Sequence, residues 1–427
     1  MNPQAFTIAF LVALTVSTGL RTWLAQRQIR HVARHRDAVP AAFADRIGVD
    51  AHRRAAAYTV ARTRLGLIET IASAAVVVVL TMFGALQWLY DASAAVFPTT
   101  PMLAQIAFVL ATMLATSAVE LPIAWYRQFR LERRFGFNRM TPALFLADLA
   151  KSVTLGLLLG VPLLWVVLSL MQGAGDRWWI YAWLVWIGFN LFVLVAYPTV
   201  IAPLFNRFEP MPDSDARRRV EALLARCGFA SKGLFVMDGS RRSSHGNAYF
   251  TGLGHSKRIV FFDTLLERLD ASEVEAVLAH ELGHFRHRHV QKRIGLAFAA
   301  SLLGLWLLGW LANQTWFYQG LGLTPSPDMR DAAALVLFFI AMPMFTFPLA
   351  PLASMLSRRD EFEADAFAAR QSDARALVAA LVKLYKDNAS TLTPDPIHSV
   401  FYDSHPPAAQ RVRRLLAIAG ETHARPA

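Results

Sequence analysis

The chain has 427 residues, 55% hydrophobic and only 17% charged, with a formal net charge of +12. Soluble domains carry about 25% charged residues, so this composition excludes an ordinary soluble fold. The positive charge is segregated between apolar runs, which speaks against nucleic acid as a partner.

Seven apolar runs follow one another, at about 5–24, 66–90, 102–124, 153–172, 179–204, 293–316 and 333–356. Each is close to the roughly 20 residues that cross a bilayer. Runs such as "SAAVVVVLTMFGAL" and "VTLGLLLGVPLLWVVLSL" offer no polar face to water. The first run lacks a basic leader and is followed by basic residues, so it reads as a retained span rather than a cleaved signal. The C-terminal "ETHARPA" carries no lipidation motif.

Residues 21–65 hold ten arginines, and 125–151 hold five arginines and a lysine. The intervening segment 91–101 holds none, and 173–178 and 317–332 hold one each, Arg177 and Arg330. This asymmetry predicts the N-terminus outside and the 21–65 loop, 125–151, 205–292 and the C-terminal tail in the cytoplasm. Glu69 and Glu120 lie within or near apolar runs. A wet cavity, an arginine partner or snorkelling from a span end would accommodate them. Cys227 is the only cysteine, so no disulfide or cysteine metal site can form within one chain. It is expected to be a small residue, buried or half-buried.

The expected organisation is membrane helices with basic loops over 1–204, a metalloprotease segment over 205–292, two further spans over 293–356, and a C-terminal helical segment over 357–427. Within the first polar region, "NRFEPMPDSDARRRVEALLARCGF" reads as a turn and an amphipathic helix, and "GLFVMDGS" as a strand. "NAYFTGLGHSKRIVFFD" reads as a hairpin, two β-rich runs around a Gly/Ser turn. Ser272, with Glu275 three residues later, predicts a capping box opening the next helix.

That helix carries "HELGH", with His280 and His284 at i and i+4 and Glu281 between them. On a helix the two rings share a face. Two neutral imidazoles can hold one Zn²⁺, with the glutamate placed to take a proton from water activated there. His287 and His289 follow. Position 287 lies about 10 Å along the axis from 280, so the three histidines cannot share one ion. His287 and His289 are therefore expected to face solvent or headgroups.

A catalytic zinc needs a third protein ligand. "SRRDEFEADAFAARQ" offers Glu361 and Asp365, again i and i+4. One carboxylate can ligate while the other accepts a ligand histidine's free N–H. Glu363 points elsewhere on that helix. Two spans separate the two segments, so both return to the same side of the membrane. A site-2-type intramembrane protease would bury its HExxH in mid-bilayer, and "ERLDASEVEA" is too polar for that. A structural zinc would need four ligands, and only three are evident.

Together, "HELGH", "SRRDEFEADAFA", "DGSRRSSHGNAYFTG" and "YDSHPPAAQR" resemble the type-1 CAAX prenyl proteases, integral membrane zinc metallopeptidases. The likeness runs in order from about residue 50 to the end. It implies a mainly α membrane protein, seven helices around a water-filled chamber, capped by an α+β protease domain on the cytoplasmic side. It implies one Zn²⁺ per chain held by His280, His284 and Glu361, with Glu281 as general base and Asp365 behind a ligand. It further implies that Asn247 holds substrate backbone, that His405 stabilises the oxyanion and that Arg411 supports that site. The substrate would be a peptide or protein, prenylated or not, cut near its C-terminus beside the lipid bilayer. A quality-control protease with no prenyl requirement, and a non-catalytic zinc-binding scaffold, are the competing readings. The Arg/Ala-rich composition suggests a bacterial chain and hence an inner membrane.

Overall fold

The computed structural model describes residues 1–251 and 258–424. Helices dominate. α1 (Pro3–His35) packs along α2 (Val49–Met82), followed by the shorter α3 (Ala85–Val96). α4 (Pro101–Tyr126) runs on through a π-helical turn at Arg127–Glu132, and α5 (Pro142–Gly173) follows. α6 (Trp178–Ala196) continues through a second π turn, Tyr197–Ile201, into the single turn α7 (Ala202–Phe205).

A polar segment then holds β1 (Phe208–Pro210), α8 (Asp215–Arg226), β2 (Leu234–Met237), β3 (Ala248–Thr251), β4 (Arg258–Phe262), α9 (Asp263–Leu266) and α10 (Ala271–Arg286). α11 (His289–Leu311), α12 (Thr315–Gln319), α13 (Arg330–Thr346) and α14 (Ala350–Gln371) lead to α15 (Ala374–Asp387), α16 (Pro396–Tyr402) and α17 (Ala408–Ala424).

Among the described residues, seven helical stretches are long and apolar enough to cross a membrane. They correspond in order to the seven apolar runs, although the run at 293–316 outlasts its span helix, which ends at Leu311. The run at 66–90 is not a single helix: α2 stops at Met82, and Gly84, at φ 74°, turns the chain into α3. Glycine reaches that left-handed conformation without a Cβ penalty.

The spans and the polar segment have separate cores. Phe10, Leu86, Phe108, Leu168 and Leu337 are buried within the span bundle. Leu223, Phe261, Leu278, Leu377 and Val412 form the second core, which Phe43 and Ile47 from the α1–α2 loop join. That loop therefore lies at the protease end of the bundle.

The sheet order is β1-β2-β4-β3, with β2 and β4 parallel and the outer pairs antiparallel. The predicted hairpin is β3–β4, registered from Ala248↔Phe261 to Thr251↔Arg258, and its turn lies outside the described residues. β3 is an edge strand. β1 occupies what the sequence suggested was a turn.

The capping box of α10 is shifted from the expected pair. Asp270 is the N-cap, accepting from the Ser272 and Glu273 backbone, while Glu273 accepts from the Asp270 N–H at 2.9 Å. The same three-residue spacing exists two positions earlier, and Asp caps as well as Ser. Glu275 instead meets Arg226 at 2.8 Å and Arg219 at 3.5 Å.

α10 and α14 cross unusually closely. A Cβ on Gly283 would stand 2.8 Å from the Ala364 Cα and 3.0 Å from its carbonyl oxygen. No side chain can retreat, because the obstacle is backbone. Gly283→Val should therefore destabilise the protein by roughly 1–3 kcal/mol and lower its Tm. A Gly283→Val protein melting like wild type would disprove the close-packing requirement.

Candidate metal centre

α10 brings His280 and His284 to one face, and α14 lays Glu361 across them. The Nε2 atoms of the two histidines are 3.3 Å apart. Glu361 Oε2 lies 3.4 Å from His280 Nε2, and its Oε1 lies 3.3 Å from His284 Nε2. One ligand atom from each residue falls within 4.8 Å of the others. Glu361 is only 3% exposed, and its Oε2 has no hydrogen-bond partner. Two imidazoles and an unsatisfied buried carboxylate oxygen are a donor set that fits a divalent cation such as zinc.

The electrostatics agree. Burial works against a charged His280, but the Asp365 carboxylate on its Nδ1 and the nearby Glu361 carboxylate outweigh it and raise the ring to about 9. The carboxylates thus make a site that favours positive charge. Burial pushes the Glu281 carboxyl up, and His280 and His284 pull against it. Among the described residues Glu281 has no hydrogen-bond partner of its own, which leaves its oxygens available.

The surrounding residues hold the ligands in place. His280 Nδ1 meets Asp365 Oδ1 at 2.9 Å. Arg411, on α17, closes a two-pronged pair with Asp365 at 2.9 and 2.6 Å. Arg411 is 4% exposed, so its charge is spent on Asp365 inside the protein. Its Nη1 also lies 3.7 Å from Glu361.

His284 is braced by a residue the sequence reading left in solvent. His289 is buried, its Nδ1 lies 3.0 Å from His284 Nδ1, and its Nε2 lies 3.2 Å from Glu363. With His284 Nε2 turned to the ligand cluster, its Nδ1–H donates to His289, whose own Nε2–H donates to Glu363. His287 is half-buried, 4.0 Å from Glu363. Glu363 does point away from the metal group, as expected, yet it reaches His284 through His289.

His405 lies beyond α16, with Nε2 3.4 Å from Glu361 Oε1, and its side chain is 58% exposed. The exposure is toward a cavity of about 870 Å³ that runs between α1 and α2 and is lined by Ser17, Thr59, Thr63, Thr70, Tyr402 and His405 among others. Glu69 lines it too and pairs with Arg127 at 2.6 Å, so this membrane carboxylate has both a polar cavity and an arginine. Glu120 is exposed. Asn247 stands exposed just before edge strand β3, and its side-chain oxygen accepts from the Ala248 N–H at 2.9 Å. No hydrogen bond among the described residues ties it to the metal group. Cys227 is half-buried.

The family model for the CAAX prenyl protease N-terminal region, five membrane helices, matches residues 28–207, and that for peptidase family M48 matches residues 210–419. A CAAX prenyl protease 1 homolog of Arabidopsis thaliana is 32% identical over 97% of each chain. The chain belongs to peptidase family M48, among the CAAX prenyl protease 1 homologues. The CAAX prenyl protease 1 of Saccharomyces cerevisiae is 35% identical over 70% of this chain and 69% of its own length. The crystal structure of S. mikatae Ste24p superposes with a TM-score of 0.91 at 27% identity, covering 96% of this chain and 99% of that one. This M48 member is a membrane zinc metalloprotease.

Two variants test how the ligands are held. His289→Ala should weaken zinc binding roughly 10–100-fold, read by chelator competition, while the metal-free Tm moves little. His289→Gln, which can accept and donate in the same places, should recover part of the loss. Unchanged affinity in His289→Ala would rule out the relay. Arg411→Met leaves the buried Asp365 without its cationic partner, with only His280 beside it, and should cost about 3–5 kcal/mol, read by chemical denaturation. A loss under 1 kcal/mol would show that Asp365 does not depend on Arg411.

Proposed function

We propose that this chain cleaves peptide bonds near the C-terminus of CAAX-type substrates, prenylated ones included, using one zinc ion per chain. The observation that carries the proposal is the convergence of His280, His284 and Glu361 beside Glu281, whose side chain has no hydrogen-bond partner among the described residues, with His405 joining this group to the cavity between α1 and α2. The names of the relatives supply the substrate class.

In this reading His280, His284 and Glu361 hold the metal. Bound zinc supplies Lewis acidity, which activates water at neutral pH and polarises a carbonyl. Glu281 is the general base: it takes the water's proton and delivers it to the leaving amine. His405 approaches from the cavity side, where an imidazole N–H can donate to the oxygen that gains charge. Asn247 and the free edge of β3 align substrate backbone as an added strand. Asp365, braced by Arg411, and His289 keep the ligand rings oriented.

The arginine distribution supports a metal site on the cytoplasmic side and an N-terminus outside. The Arg/Ala-rich composition supports placement in a bacterial inner membrane.

The deciding experiment is cleavage of matched CAAX peptides with and without a farnesyl group, by purified protein, Glu281→Ala and a zinc-chelated control. Wild type should cut the farnesylated peptide preferentially. Glu281→Ala should keep its zinc and lose roughly 10²–10⁴-fold in rate. Equal cutting of both peptides would remove the prenyl preference and keep the protease. No cutting with zinc bound would overturn the proposed substrate class, and an active Glu281→Ala would overturn the base.

A further inference from the structure

A second cavity, of about 700 Å³, lies away from the metal group between the end of α1, the start of α2 and the segment after α4. Arg36, Arg53, Arg64 and Arg134 line it, with Asp37 as the only carboxylate. Asp37 is shared: its oxygens meet Arg53 at 2.7 Å and Arg36 at 3.3 Å. Arg64 and Arg134 have no ion-pair partner among the described residues. The lining therefore carries a surplus of three positive charges.

The floor is apolar. On α2, residues 53, 57, 60, 61 and 64 recur at helical spacing on one face, and this stripe reads Arg-Ala-Val-Ala-Arg. Phe135 closes the side. The same stripe runs on into Ile68 and Ile71, which are 59% and 54% exposed on a span helix. Arginines thus ring a small-residue floor at the level where the lipid-facing surface of α2 begins.

We propose that this cavity binds the phosphate headgroup of an anionic phospholipid, with the acyl chains descending along Ile68 and Ile71. Arg64 and Arg134 take the phosphate, since guanidinium groups without carboxylate partners match it in charge and in fork geometry. Arg36 and Arg53 flank it and stay tethered by Asp37. Basic pockets between membrane helices at the interface are suited to such headgroups. A free phosphate shares the headgroup chemistry, but it would leave the apolar floor and the isoleucine stripe uncovered. The site braces α1 against α2 where their connecting loop enters the protease core through Phe43 and Ile47.

The test uses the full chain in neutral detergent, titrated with phosphatidylglycerol, phosphatidylcholine or inorganic phosphate, with binding read by native mass spectrometry. Phosphatidylglycerol should bind at least tenfold more tightly than phosphatidylcholine, and Arg64→Gln/Arg134→Gln should lose tenfold or more. Arg177→Gln/Arg330→Gln removes the same charge elsewhere and should lose little. Should the glutamine pair fold poorly, Arg64→Lys/Arg134→Lys keeps the charge without the fork and should bind more weakly than wild type but more tightly than phosphatidylcholine does. Equal binding of the two lipids, full retention in Arg64→Gln/Arg134→Gln, or inorganic phosphate displacing phosphatidylglycerol at equal concentration would each overturn the proposal.

Discussion

The centre depends on how closely α10 and α14 approach. A carboxylate from one helix can lie across two imidazoles of another only if the backbones nearly touch. Gly283, one residue before His284, permits that contact against Ala364. The glycine inside HELGH is thus as much a part of the ligand set's geometry as the histidines flanking it. It lies on the buried side of α10, where Leu278, Ala279 and Leu282 are also buried. Packing brings the helices together, and the side chains on their shared face then have no solvent to turn to.

That arrangement concentrates charge where charge is costly. Glu361, Asp365 and Arg411 are each under 5% exposed in an otherwise apolar chain. A buried ion pair contributes little net stability and heavily penalises the loss of either member. The value of the Arg411–Asp365 pair is therefore one of position. It fixes a carboxylate that fixes His280. The His289–Glu363 link does the same for His284 by a different chemical route, an imidazole in place of a direct carboxylate. Both ligand rings end up with one nitrogen committed to protein and one turned to the cluster.

The features legible in the sequence were those set by local spacing. Two i, i+4 pairs announced the ligand helices, seven apolar runs announced the spans, and counting two spans between the ligand segments placed both on one side. What escaped was set by tertiary contact or by a choice between equal local signals. Asp270/Glu273 and Ser272/Glu275 are the same motif in two registers. His289 looked solvated because "FRHRH" is polar, but the helix breaks at Arg288, which holds a left-handed φ of 57°. That conformation costs a non-glycine residue roughly 1–2 kcal/mol, and it turns His289 back under His284. No window of sequence shows the return. The same holds for Arg27 and Asp395, 368 positions apart, which meet at 3.0 Å.

The Arg27–Asp395 contact joins membrane and protease. Asp395 is 2% exposed, caps α16 through the Ile397 and His398 N–H groups, and takes Arg27 from α1, while Gln28 accepts its backbone N–H. α16 leads directly to His405. A span helix therefore sets the position of the segment that faces Glu361 across the cavity mouth. Peptide hydrolysis consumes water, and a bilayer excludes it. Span helices α1 and α2 line the cavity with hydroxyls from Ser17, Thr59, Thr63 and Thr70, groups that can hold water there. The same α1 carries both part of that lining, through Ser17, and the anchor for α16, through Arg27 and Gln28. A shift of α1 would therefore displace the cavity wall and the segment bearing His405 together.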